Sequence, residues 1–275
     1  MVDATIISST LGLFVGLVLA LTGAGGSILA IPLLMFSLNL NLVQAAPIAL
    51  LAIMSAAGVG AIQGLHAGKV RYKTALLIAS FGITFAPIGV WLAQRVPIIM
   101  LSLCFAAILM HVAIRTWQQS AQTLHSGENK SAPACSINPA TSKLFWTASC
   151  TKRLITTGAV TGLLSGMFGV GAGFVIVPSL QKVSNFNAQT IIATSLTVIT
   201  LVSAGSVASH LLHSTIAWAI AIPFVSSSVL GMFAFGLVSH KIPSQISQRS
   251  FAVLTVMASV LMVSILLTID DACCL

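Results

Sequence analysis

The feature that most limits this chain is the length of its charge-free stretches. No Asp, Glu, Lys or Arg occurs from Ala4 to Gly68, and none from Val183 to His240. A soluble fold has nothing to coat itself with over such lengths, whereas one membrane helix needs only about 20 apolar residues. Each stretch therefore holds several spans. Composition agrees, with 57% hydrophobic and 6% charged residues in 275, against about 25% charged in soluble domains.

The net charge of +8 would suggest nucleic acid in a soluble protein. Here the cations sit singly between apolar segments, which is how topology signals are placed, so the expected partner is a lipid bilayer and not nucleic acid. Five cysteines, Cys104, Cys135, Cys150, Cys273 and Cys274, form no C-x-x-C pair and support neither a disulfide framework nor a metal site. The first apolar run follows no basic region and ends in no small-residue cleavage pattern, so it reads as a retained helix and not a signal peptide.

Breaks at glycine, asparagine, proline and basic joints divide the first half into apolar segments at 5–22, 27–38, 43–66, 74–94 and 97–115. The second half repeats the pattern at 154–168, 173–182, 188–212, 215–238 and 247–268. The expected fold is an all-α polytopic membrane protein with about eight spans long enough to detect by hydropathy. A first membrane repeat covers 1–118, a polar Ser-, Thr- and Asn-rich cytoplasmic linker 119–151, and a second repeat 152–275.

The halves align without a gap at an offset of 146: Gly16, Leu17, Gly23, Gly25, Pro32, Leu34, Asn39 and Asn41 fall on Gly162, Leu163, Gly169, Gly171, Pro178, Leu180, Asn185 and Asn187. One inserted residue later Gly58 meets Gly205 and His66 meets His213, and at the original offset Pro97 meets Pro243. The chain reads as a duplicated half.

The most informative string is GLVLALTGAGGSILAIPLL at 16–34, matched by GLLSGMFGVGAGFVIVPSL at 162–180. Glycines let the backbone turn sharply and let amides approach a ligand, and a helix that starts there presents unpaired N–H groups that attract anions. Irregular backbone at membrane depth survives only where it is buried in protein or lines a cavity, and transporters build their sites from it. Small residues also serve plain helix packing, but packing does not demand the same turn, with Pro nine residues after the first Gly, in both halves. The candidate anion-binding residues are Gly23, Gly25, Gly26 and Ser27 in the first half and Gly169, Gly171 and Gly173 in the second. The helix starts at 25–27 and 171–173 are expected to converge near the midplane.

These strings resemble the hallmark of the TauE/SafE sulfite exporter family, also called the toluene-sulfonate uptake permeases. IIATSLTVI at 191–199 fits the same family, and the resemblance covers nearly the whole chain. It implies a multi-pass protein of the cytoplasmic (inner) membrane that moves small sulfur-containing anions such as sulfite, sulfoacetate or other sulfonates. It also adds Thr194 and Ser195, the Thr-Ser pair of the helix after the turn, to the binding candidates. The first half departs from that pattern with Pro47 and Ile48, so the hydroxyl contribution is not symmetric.

Absences narrow the chemistry. The acidic residues are Asp3, Glu128, Asp270 and Asp271, all near termini or in the linker, which argues against a carboxylate proton relay. Histidines remain, and His66 and His213 are the candidate proton-sensing pair because they match across the halves; the competing role is capping helix ends at the interface. A Ser-His-Asp arrangement lacks its acidic member, and His210 with His213 supplies too few ligands for a metal. No enzymatic activity and no cofactor are expected. The leading function is secondary transport, favouring export; the alternatives are an anion channel and a membrane-embedded sulfur-relay or assembly factor. If each glycine turn closes a hairpin, the halves are inverted and eleven of the twelve Lys and Arg residues fall on one side with only Arg95 opposite, a strong positive-inside bias. The linker is then cytoplasmic and both ends of the chain are external.

Overall fold

The computed structural model describes residues 2–23, 26–38, 40–122, 148–171, 173–183, 188–211 and 217–236, with 253, 256 and 257. Most of the linker, the segment expected at 247–268 apart from 253, 256 and 257, and the candidates Gly25 and His213 lie outside the described residues.

Everything regular among the described residues is helical: α1 (Val2–Thr22), α2 (Gly26–Leu38), α3 (Leu42–His66), α4 (Tyr72–Arg95), α5 (Ile98–Gln122), α6 (Ala148–Phe168), α7 (Gly173–Val183), α8 (Ala188–Leu211) and α9 (Trp218–Gly236). Helix is the conformation that satisfies every backbone amide within one segment when no water is at hand. Among the described residues five helices are long and apolar enough to cross a membrane: those containing Thr5–Thr22, Leu42–His66, Tyr72–Arg95, Gln189–Leu211 and Trp218–Gly236. By contrast α2 and α7, of 13 and 11 residues, reach only about 20 and 17 Å at 1.5 Å per residue. That falls short of a hydrocarbon core of roughly 30 Å.

The first glycine turn is a reversal and not an interruption of one span. A Cβ on Gly26 would stand 2.5 Å from the Val15 carbonyl oxygen and 2.8 Å from Leu19 Cβ, so α2 starts by lying back along α1. Its Pro32 and the Pro178 of α7 remain inside these short helices, as the sequence implies.

Long helices pack through glycine. α1 lies along α9, with Gly12 against Phe224 and Gly16 against Ser228; α4 lies along α6, with Gly158 against Ile78, Gly162 against Gly82 and Gly166 against Ala86. Both pairs run parallel, and small residues every fourth position let the backbones approach. The contacts Gly12–Phe224 and Gly16–Ser228 have their counterparts at the offset of 146, in Gly158–Ile78 and Gly162–Gly82. α3 and α8 cross the centre antiparallel, Gly58 facing Thr200 while Gly64 faces Ala193. They carry a large share of the core, including Ile48, Ile53, Val198, Ile199 and Val202.

The outside is apolar, with Leu76, Ile222 and Leu230 turned outward, as a lipid-facing surface requires. At the end of α4 the Arg95 guanidinium lies 4.7 Å from the centre of the exposed Trp91 ring, a pairing suited to the headgroup level. The cysteines correct the sequence reading at one point: Cys150 in α6 is buried and disulfide-bonded, whereas Cys104 is free and exposed.

Candidate functional site

Each glycine turn rests on the long central helix of the other half. Gly23 has φ of 71°, a left-handed conformation that disfavours any Cβ, and a Cβ there would stand 2.7 Å from Ile192 Cγ2 of α8. Gly169 has φ of 73°, and its Cβ would stand 2.5 Å from Ala46 Cβ of α3. Ala46 and Ile192 are again 146 apart. Ile192 neighbours Ala193, which faces Gly64, so the two turns sit at opposite ends of the α3–α8 pair. The interval from Ala46 to Gly64 corresponds to about 27 Å along α3.

Two residues after Gly169, Gly171 (φ 65°) turns toward the middle. A Cβ there would meet Ser203 Oγ at 2.9 Å, Ile53 Cγ2 at 3.1 Å and Ile199 Cγ2 at 3.4 Å. Ile53 of α3 and Ile199 of α8 are fully buried, so Gly171 lies near the centre of the bundle. α7 begins at the buried Gly173, and α7 also touches α2. In the first half Gly26 and Ser27 open α2 and are buried, on the side packed against α1.

The Thr-Ser pair does not gather around the second turn. Ser195 Oγ donates to the Ile192 carbonyl at 2.8 Å and lies 3.4 Å from the Gly23 carbonyl oxygen, so it serves the first turn, across the repeat. Thr194 Oγ1 donates to Thr190 O at 2.6 Å and accepts the Arg71 N–H at 3.2 Å. Beside it Lys69 Nζ donates to Gln189 Oε1 at 2.8 Å. Thr194 thus ties the α3–α4 loop to the start of α8. His66 is exposed at the end of α3, the end at which the Gly23 turn sits.

Four polar side chains near the second turn were not singled out as binding residues from the sequence. Ser165 and Ser206, both buried, share a hydrogen bond of 3.0 Å between α6 and α8. His210, also buried, places Nε2 3.2 Å from the Gly166 carbonyl oxygen. Ser203 is buried and has no hydrogen-bond partner. Ser203, Ser206 and His210 recur at helical spacing on one face of α8, which was the available signal. His210 borders a cavity of about 190 Å³ whose walls include Leu42 and Ala46 of α3, Gln94 of α4 and Met167 of α6. Ala46 is also the residue under Gly169, so this cavity adjoins the second turn. Among the described residues no three His, Cys, Asp or Glu side chains group closely enough to hold a metal.

The arrangement offers backbone N–H groups at short-helix starts, hydroxyls and a histidine, within apolar walls. Such a set can hold an anion by hydrogen bonds.

Comparison with known proteins places this geometry in context. The sequence model of the family described as "Sulfite exporter TauE/SafE" matches residues 9–262. A "Probable membrane transporter protein" of Xylella fastidiosa (strain 9a5c) is 25% identical over 234 residues, covering 84% of this chain and 83% of that protein. Proteins of the same description from Methanocaldococcus jannaschii and Haemophilus influenzae are 34% and 30% identical over 96 and 116 residues, covering 34% and 40% of this chain and 36% and 44% of their own lengths. No solved structure matches the chain significantly.

Proposed function

This chain belongs to the sulfite exporter TauE/SafE family, and from that premise we propose that it is a secondary transporter that exports small sulfur-containing anions such as sulfite and sulfonates across the cytoplasmic membrane. The observation that carries the reading is the placement of Gly23 on Ile192 and of Gly169 on Ala46. A turn at each end of one antiparallel helix pair gives the bundle two matched closures. Alternating access needs that, and a permanently open pore does not.

Antiparallel α3 and α8 support the inverted arrangement, because repeat mates point opposite ways. In that arrangement the cavity beside His210 lies at the external end and the Gly23 turn at the cytoplasmic end. The candidate substrate contacts are backbone amides at Gly171–Gly173 and, separately, at Gly25–Ser27, where Ser195 stands beside Gly23 and Thr194 is its neighbour in α8. His66 and His213 are the pair through which pH would act.

The driving force follows from charge. A cell interior negative by 100 mV favours exit of a monoanion by about 2.3 kcal/mol, so export needs no coupling ion. Uptake and efflux of labelled sulfite and sulfonates by the purified protein in liposomes tests the reading. Saturable, potential-driven efflux is expected; current that does not saturate would assign a channel instead, and no flux of any such anion would overturn transport.

A further inference from the structure

We propose that Ser203 and the first turn of α7 form a single binding site for a monovalent oxyanion, present in the second half and not in the first. The ligand class rests on the transport reading above; the place of the site rests on the following geometry.

Hydroxyls on α8 have an ordinary fate. Thr194, Ser195, Thr197, Thr200, Ser206 and Ser209 each donate to a carbonyl three or four residues back on the same helix. Ser203 has the same option and does not take it. Its Oγ is fully buried without a partner, although a buried hydroxyl left unpaired is costly. It stands instead at the position a Cβ on Gly171 would crowd at 2.9 Å. The missing side chain of Gly171 therefore leaves room at a hydroxyl that lacks an acceptor, two residues before α7 begins.

α7 supplies the complementary donors. The N–H groups of its first turn, from Gly173 onward, have no carbonyl within their own helix, and the helix start carries partial positive charge. An oxygen of the ligand that accepts from Ser203 Oγ completes the hydroxyl, while its other oxygens face amides. From Ser203 the face of α8 continues through Ser206 to His210, which borders the cavity, so polar groups line the way from cavity to turn.

Two specificities follow. In the register that pairs Gly58 with Gly205, Ser203 corresponds to Ala56, which is buried and has no hydroxyl, so the first half lacks this donor. The donors are neutral, with no Lys or Arg between Val183 and His240. A monoanion can be held by such groups, whereas a desolvated dianion lacks compensation. The site accordingly takes a sulfonate or hydrogen sulfite and rejects sulfate.

Equilibrium binding of labelled methanesulfonate to purified full-length protein in detergent tests this, beside liposome flux of the same anion. Ser203→Ala should weaken binding about ten- to a hundredfold, the range for a lost hydrogen bond to a charged group. It should raise the melting temperature, because an unsatisfied hydroxyl is removed; a merely structural serine would lower it. Ser203→Thr should recover part of the affinity, Ser209→Ala should bind as wild type, and sulfate should fail to compete. Unchanged affinity in Ser203→Ala overturns the site while leaving transport standing. Ser203-dependent binding without flux supports the site and removes the transport reading. Sulfate competing equally overturns the charge selectivity, and no binding by the wild type overturns the proposal outright.

Discussion

Gly162 of α6 meets the backbone of Gly82 of α4 with no side chain between them: a Cβ on Gly162 would lie 2.7 Å from both the Cα and the carbonyl carbon of Gly82. The obstacle is backbone within a parallel helix pair, so it cannot step aside as a flexible side chain would. Gly162→Ala should cost about 1–3 kcal/mol, the usual penalty for overpacking, and is expected to lower thermal stability in detergent. Gly58→Ala, whose Cβ would meet only Thr200 Cγ2 at 3.6 Å, should change stability little by comparison.

Gly171 carries a different penalty. With φ of 65° an L-residue there is strained by roughly 1–2 kcal/mol, and its side chain would fill the space before Ser203. Gly171→Leu is expected to insert in the membrane at normal level and to lose transport, and Gly25→Leu should behave alike. Wild-type flux in both variants would reduce the turns to packing elements.

Topology can be read by fusions. Eleven of twelve Lys and Arg residues share the side of Lys69, Arg71 and Lys73 when the halves are inverted, which places that side in the cytoplasm. A reporter fused at Leu275 should be active only outside the cytoplasm, and one inserted in the linker only within it.

Driving force is separable from pH. Liposomes loaded with sulfonate and made negative inside should lose it faster with no proton or Na⁺ gradient, since the potential alone supplies about 2.3 kcal/mol per 100 mV. Replacing His66 and His213 by Gln should leave that efflux intact. Flux that ignores the potential, follows a pH gradient and loses this dependence in the double variant would assign proton coupling.

The sequence by itself determined the class of fold and where the turns fall. Long charge-free stretches admit only buried helices in lipid, and those are local properties that need no partner to express them. Gly23 and Gly169 were legible for the same reason, because a left-handed turn between apolar segments is written in the residues that make it. The repeat offset also indicated in advance that the first half lacks the Thr-Ser pair. What only the tertiary structure decided is which half serves which turn. Ser195, adjacent in sequence to Thr194, works with Gly23 from the opposite half, while Thr194 holds the Arg71 loop. Ser203 shares its helical spacing with Ser206 and His210, but nothing in that pattern separates it from the many other hydroxyls of α8. Its distinction is an unmade hydrogen bond facing Gly171, and a bond left unmade depends on which helix packs opposite, which no local pattern specifies.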